Sequence, residues 1–451
     1  MKSGRHAGRI AIIGGGPCGL ACGRELARLG YDDWTIFERN GEAGGHASSL
    51  VDPAGFTWDL GGHVVFSHFG EFDLLLEEVM GDDLVEHERA SYVSFAGRWV
   101  PFPFQNNLRY LPADAAYECL LGLIEAPGAD GAVDFATWIE RTFGSGITRH
   151  FMRPYNSKVW AVPLERMSAT WIADRVSVLD FRRALRNVVF GQDDVGWGHN
   201  NRFKFPTAGG TGEIYRRLAK RLGGHVEYGH ELASVDLARR RLSFANSREE
   251  EFDTLVSTMP LDRFVSSIAG PPSEVRRAAA ELEHTGVWMV GVGYERALAD
   301  DRCWMYFPQA DVPFYRVTNF AKYAAANVPR ADTGRYSSYL TETSYSPYRP
   351  VSAGSLTERV PQALREVALV DGAEAVSVHA VDIEYAYPIP SLTRDAALAV
   401  VQPWLMERGI YSRGRFGSWR YEIGNMDHAV KMGLDVARLI LEGRPEELWT
   451  Q

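Results

Sequence analysis

Apolar residues recur along this chain in two alternating periods. Arg9–Ile13 is a short apolar run that reads as a strand. The stretch behind it is helical up to Leu29 and stops at Gly30, and Trp34–Phe37 is a second strand, ending in Glu38. Phe56–Leu60 is strand-like. From about Leu111 to Val189 the pattern is mostly helical, with amphipathic runs at Ala115–Ile124 and Phe135–Phe143. His225–Tyr228, Leu232–Val235, Arg241–Phe244 and Thr254–Met259 read as short strands. Val287–Tyr294, Trp304–Phe307, Tyr336–Thr343 and Val376–Tyr385 suggest a further sheet. Pro388 to Leu405 turns the chain back, and an apolar-periodic helix from Ala429 to Leu441 closes at Gly443. No internal repeat or low-complexity tract interrupts the pattern.

At 451 residues the chain is too long for one simple core, so two or three lobes are expected. Composition is that of an ordinary soluble protein, 45% hydrophobic and 24% charged. A net charge of −10 argues against nucleic acid or an anionic membrane as partner, and requires any small anionic ligand to be gripped by a few local arginines. No apolar run reaches the length of a membrane span, and Met1–Arg9 lacks the apolar stretch of a secretory signal. Cys18 and Cys22 lie one helical turn apart while Cys119 and Cys303 are isolated. That is neither a disulfide framework nor a zinc pattern, and it fits small buried residues in a reducing cytoplasm. Monomer and homo-oligomer are both open.

Candidate chemistry begins between the first two strands, in Gly14-Gly15-Gly16-Pro17-Cys18-Gly19. With a strand before it, a helix after it and an acid at the end of the next strand, it is a dinucleotide fingerprint in its proper setting. Gly14 makes the turn, Gly16 lets backbone reach a pyrophosphate, Gly19 lets helix and strand pack, and Glu38 can accept from a ribose hydroxyl. Pro17 and Arg39 complete the candidate contacts at its two ends. Two more glycine clusters follow, around Gly45 and Ser48 and at Gly61-Gly62-His63, where backbone is expected to approach something large and flat. FAD suits this better than NAD, although plain tight turns are the alternative. Phe205–Gly212 lacks the Lys-Ser/Thr of a P-loop and reads as a helix start. Asp193–Arg202, polar and containing glycine, reads as a mobile loop. Arg415–His428 packs two arginines, three aromatics and two carboxylates among glycines before the last helix, a loop composition suited to holding a ligand.

The expected fold class is therefore α/β: a Rossmann-like FAD-binding domain with an inserted helical lobe and a β-sheet substrate domain, the glutathione-reductase/amine-oxidase-like flavoprotein architecture. The expected domains are 1–100, first part of the FAD-binding domain; 101–204, the helical substrate lobe with mobile loops; 205–270, second part of the FAD-binding domain; 271–395, the β-sheet substrate domain; and 396–451, the C-terminal return.

The chain resembles the flavin-dependent UDP-galactopyranose mutases, in their eukaryotic-type branch. The resemblance runs through Gly61–His68, Trp99–Asn107, Phe151–Trp160, Tyr387–Leu392 and Arg415–His428. It implies an isomerase that interconverts pyranose and furanose forms of a nucleoside-diphosphate sugar, most simply UDP-galactopyranose and UDP-galactofuranose. The implied route is a covalent adduct between the sugar and N5 of reduced flavin, with no net redox change and NAD(P)H as reductant. That would explain why no nucleophile elbow, Ser/His/Asp arrangement or metal-spaced cluster is visible; no metal is expected.

By the same resemblance, Arg175 and Arg316 grip the diphosphate, a task suited to planar, permanently charged forks. From local sequence alone Arg175 could equally be a structural ion pair, with Asp174 or a neighbouring acid. Tyr306, Tyr323, Tyr387 and Tyr421 match tyrosines that bond phosphate or sugar. Phe104, Gln105, Phe151, Asn156 and Trp160 match the nucleoside pocket, where aromatics sandwich a base and an amide reads its edge. Asn200, Arg415, Gly424 and Asn425 match positions near sugar and flavin, and His63 and His68 the loop covering the isoalloxazine. Phe102 stands where Tyr is expected, His46 where Leu is usual, and Met426 replaces a polar residue, so the base and the sugar stay open. The competing reading is an FAD-dependent oxidase or dehydrogenase of the amine oxidase or desaturase class, whose pocket would be apolar with few cations. A non-catalytic flavin-binding subunit is the third.

Overall fold

The computed structural model describes residues 8–172, 176, 178–195 and 201–449. Two sheets organise them. The first is parallel and five-stranded, ordered Ile410–Ser412, Thr254–Ser257, Ile10–Ile13, Trp34–Glu38 and Val226–Tyr228. Its inner strands Ile10–Ile13 and Thr254–Ser257 are short and almost wholly buried, as a parallel sheet covered by helices requires. The helix Pro17–Arg28 follows the first strand directly, with proline at its start and Gly16 as N-cap. It lies along the C-terminal helix Met426–Glu442, and the contact is close enough that a Cβ at Gly433 would come within 2.2 Å of the Cys18 carbonyl oxygen. Small residues are needed at this crossing, which is why Cys18 and Cys22 sit there. All four cysteines are buried and free, and burial pushes the Cys18 thiol up to about 12, so it stays protonated and inert.

The second sheet has seven strands, ordered Ala375–Pro388, His284–Tyr294, Ser337–Tyr345, Arg316–Asn319, Trp304–Tyr306, Ser91–Phe95 and Arg98–Pro101. All pairings are antiparallel except that of Trp304–Tyr306 with Ser91–Phe95. This shifts the expected boundary at residue 100. Ser91–Phe95 and Arg98–Pro101 complete the edge of the second sheet, because the Trp304–Tyr306 edge has backbone donors to satisfy. Leu84–Glu88 and Arg202–Pro206 form a separate antiparallel pair, so the polar segment expected to be a loop already enters a strand at Arg202.

The inserted lobe is helical as expected, with Ala113–Glu125, Phe135–Ile147, Arg153–Trp160 and Phe181–Phe190. Its first two helices cross at glycine: a Cβ on Gly146 would lie 2.2 Å from the Glu118 carbonyl oxygen. The turn at Gly209–Gly212 is a helix start and a clasp. Thr211 donates through Oγ1 to Asp59 Oδ2 at 2.8 Å, and Ser49 Oγ donates to Asp59 Oδ1 at 2.5 Å. Burial pushes the Asp59 carboxyl up to about 7 despite these donors. Among the described residues no helix is long and apolar enough to cross a membrane.

Candidate functional site

Strand register builds the centre of the site. Tyr306 lies opposite Arg316, and Arg316 opposite Glu342, so a phenol, a guanidinium and a carboxylate form one row across three neighbouring strands. Arg316 donates from Nε to Glu342 Oε1 at 2.8 Å and from Nη2 to Oε2 at 2.7 Å, a bidentate pair. The same carboxylate accepts from the Gly62 backbone N–H at 2.9 Å and from the Tyr315 hydroxyl, which in turn meets the Tyr387 hydroxyl at 2.9 Å. Burial opposes the charge on Glu342, but Arg316, Tyr315 and Gly62 together hold its carboxyl below the usual carboxylate range. Arg316 is correspondingly held in its charged form by Glu342 and the surrounding phenols. One buried carboxylate therefore ties Arg316, the expected diphosphate residue, to the Gly61–His63 loop, expected to lie on a flavin.

That loop is pressed against the sheet. A Cβ on Gly62 would lie 2.7 Å from Thr318 Oγ1, 3.0 Å from Glu342 Oε1 and 3.2 Å from Trp304 Nε1. His63 follows, its imidazole pushed down to about 4 by burial with help from Arg316 and Arg415, so it is neutral near pH 7. Its Nδ1 is buried and has no hydrogen-bond partner among the described residues. Arg415 donates from Nε and Nη2 to the Ala386 carbonyl at 3.0 and 2.9 Å and from Nη1 to the Gly424 carbonyl at 2.8 Å. Its guanidinium lies 5.3 Å from the Tyr387 ring and 5.7 Å from the Tyr421 ring. Asn425 is the N-cap of the C-terminal helix and Met426 its first residue.

The glycine-rich turn after the first strand is built without side chains. Gly14 has φ of 104° and Gly19 packs so tightly that a Cβ would lie 2.0 Å from the Gly14 carbonyl oxygen. At Gly16, by contrast, a Cβ would meet nothing nearer than Gly45 Cα at 3.8 Å. The two glycine backbones thus pack against each other with no side chain between them, beside the N-terminus of the Pro17–Arg28 helix. Glu38 is buried at the strand end, accepting from Gly15 N–H at 2.7 Å and Asn40 N–H at 2.8 Å, while Arg39 is exposed. Ser48 closes the short turn Gly45–Ala47, where His46 stands edge-on to Phe416. Glycine spacing, a buried acid and the unpartnered His63 Nδ1 fit a flavin dinucleotide.

The aromatic half departs from expectation. Phe104 and Phe151 stack directly on each other, with centroids 4.7 Å apart and planes 18° apart, and Tyr155 stacks on Phe151 at 5.1 Å. No base can lie between Phe104 and Phe151, because their facing surfaces are already used in the core. The half-buried rings at this end are Phe102, 4.9 Å from Tyr306, and Tyr155. Gln105 is buried in the same turn, and Asn156 donates to the Met152 carbonyl at 2.7 Å, within its own helix. Trp160 is fully buried and stands edge-on to Tyr421 at 4.7 Å, whereas Tyr323 is buried among Phe203, Phe205 and Phe320. Arg175 and Asn200 lie outside the described residues, as do Gly196 and Gly198 of the expected mobile loop.

Sequence reasoning missed Glu342 and Arg89. A carboxylate in the otherwise neutral strand Ser337–Tyr345 was the available signal for the first. Arg89 lies 4.4 Å over the Trp304 ring, and burial pushes its guanidinium below the ordinary arginine value. His68 is held from the side of the C-terminal helix. Together with His428 it surrounds Asp427, a grouping of metal-ligand type. Both imidazole Nδ1 atoms bond Asp427, at 2.7 and 3.0 Å, and so do the backbone N–H groups of His68 and His428, at 3.0 and 2.9 Å. Those contacts occupy the carboxylate's lone pairs, so the cluster works as a clasp between the loop and the C-terminal helix.

Residues 17–441 match the family model described as flavin containing amine oxidoreductase. Among solved structures the chain is similar to a reduced UDP-galactopyranose mutase, at 37% identity and a TM-score of 0.93 over 97% of this chain and 95% of that one. A putrescine oxidase bound to putrescine is similar at 17% identity and a TM-score of 0.66, over 96% and 98% of the two chains. A CLA-producing fatty acid isomerase from P. acnes stands at 15% and 0.65, over 95% and 97%. The last two likenesses concern the fold alone.

Proposed function

This chain belongs to the flavin-containing amine oxidoreductases and, among them, to the UDP-galactopyranose mutase type, and from that premise we propose that it interconverts the pyranose and furanose forms of a nucleoside-diphosphate sugar, UDP-galactose being the simplest candidate. The observation that carries the proposal is the buried row of Tyr306, Arg316 and Glu342. It offers a fixed guanidinium among phenols, which suits a diphosphate and opposes a cationic amine.

FAD, when bound in its reduced state, supplies nucleophilic chemistry with no net redox change, and NAD(P)H is the proposed reductant. Gly14, Gly16, Pro17, Gly19, Glu38, Arg39, Gly45, Ser48, Gly61, Gly62, His63, Arg415, Gly424 and Asn425 are the residues we assign to holding it. Arg316 keeps N–H donors beyond the two given to Glu342, and these would take diphosphate oxygens. Tyr387, hydrogen-bonded through Tyr315 to Glu342, would orient the same group. Arg175 and Asn200 are proposed partners of the diphosphate and sugar. Neutral His63 can accept or donate a hydrogen bond without adding charge beside the reacting sugar. Four buried free thiols fit a cytoplasmic enzyme.

The direct test separates two ligand classes. UDP titrated into the dithionite-reduced protein should bind saturably, and putrescine should neither bind nor generate peroxide. Peroxide formed in proportion to an added amine, with no UDP binding, would replace this reading by an amine oxidase.

A further inference from the structure

Lys158 does something the proposed reaction does not use. Its side chain is buried, and the three N–H groups of Nζ are shared among four backbone carbonyls: Phe307 at 2.8 Å, Gln309 at 2.8 Å, Val312 at 3.0 Å and Phe314 at 2.6 Å. Among the described residues no carboxylate pairs with it; Asp311 acts only from a distance, and Arg349 adds a second positive charge nearby. Burial pushes the Lys158 ammonium down to about 7. The carbonyls packed around Nζ, which can only accept, are what favours the protonated form there. A buried ammonium without a counter-ion is costly, so its retention needs a reason that an apolar side chain would not supply. Four carbonyl oxygens around one compact charge form the kind of coordination by which backbone replaces the hydration shell of a monovalent cation.

We propose that Lys158 is a built-in monovalent cation, a positioning residue whose carbonyl cage fastens the helix Arg153–Trp160 to the loop that leads into Arg316. The helix Arg153–Trp160 carries Tyr155 and Asn156 on the same short segment. The caged loop joins Trp304–Tyr306 to Arg316–Asn319, and its end is fixed by Phe307 N–H to the Tyr315 carbonyl at 2.9 Å and by Tyr315 N–H to the Glu342 carbonyl at 2.9 Å. Through the cage the helix that carries Tyr155, 5.6 Å from Tyr306, and the strand that begins at Arg316 keep one spacing across the proposed nucleotide site. The naming of that site rests on the function proposed above; the cage does not.

The test is an ion rescue. Lys158→Ala empties the cage and Lys158→Met fills it with an apolar chain. In tetramethylammonium chloride, Lys158→Ala should melt earlier than wild type and bind UDP about tenfold more weakly, the equivalent of about 1.4 kcal/mol, with flavin content unchanged. Exchanging that salt for KCl or NH4Cl at equal ionic strength should restore both properties in Lys158→Ala and neither in Lys158→Met. Indifference of Lys158→Ala to the cation, or wild-type behaviour in tetramethylammonium, overturns the proposal. Should Lys158→Ala fold in no salt, hydrogen exchange of the wild type decides: UDP should slow exchange in 153–160 and 307–315 together, and protection of one alone overturns the link. A wild type that binds no UDP defeats the function reading instead, while the ion dependence of melting still tests the cage.

Discussion

Arg316→Ala should lose UDP binding and most of its thermal stability together. Removing the guanidinium strands Glu342 as a buried charge with only Tyr315 and Gly62 as donors, and breaking a buried pair in this way costs about 3–5 kcal/mol. The lost contact to the diphosphate adds about 2–4 kcal/mol in affinity. The two effects separate in the double variant Arg316→Met with Glu342→Met. Melting should recover much of the way, since the pair is replaced by apolar groups of similar size, while UDP binding stays lost. Calorimetric melting and UDP titration measure both. An Arg316→Ala protein that melts and binds UDP like wild type would remove this row from the site.

Gly16→Val should give a folded protein that holds no flavin. A Cβ on Gly16 would make only ordinary contacts, with Gly45 Cα at 3.8 Å and Gly44 O at 3.9 Å, and its φ of −82° is accessible to valine, so the fold can take the side chain with a local adjustment. A dinucleotide that needs the backbone there does not tolerate it. Gly19→Val serves as the contrast. Its Cβ would lie 2.0 Å from the Gly14 carbonyl oxygen, a backbone overlap that should destabilise the apoprotein by about 4–5 kcal/mol or more. Absorbance near the flavin bands and circular dichroism distinguish the two. Yellow Gly16→Val protein with normal flavin content would contradict the placement.

Much of the fold was legible where one physical signal dominated. The strand–glycine–helix–strand order at Ile10–Glu38, the helical lobe and the Gly443 stop follow from period and punctuation. Ser91–Pro101 was not assigned to the second sheet because strand pairing over such separations is settled by which edge lacks a partner, which no local pattern records. The site divides in the same way. Gly14, Gly16, Gly19 and Glu38 announce themselves through spacing, whereas Glu342 and Lys158 matter through partners far away in sequence. Phe104 and Phe151 show the opposite failure. Aromatic residues in a matching motif suggest a sandwich, but packing turned their faces toward each other.

The central claim is a sugar isomerisation that needs a reduced flavin and consumes no reductant. Its most direct test is to incubate the protein with UDP-galactofuranose, with and without dithionite, and to follow UDP-galactopyranose by chromatography while NAD(P)H oxidation and peroxide are monitored in parallel samples. The account predicts product only in the reduced sample, many turnovers per flavin, and no loss of reductant or release of peroxide in proportion to product. Equal turnover by the oxidised protein, or reductant lost mole for mole with product, would contradict it.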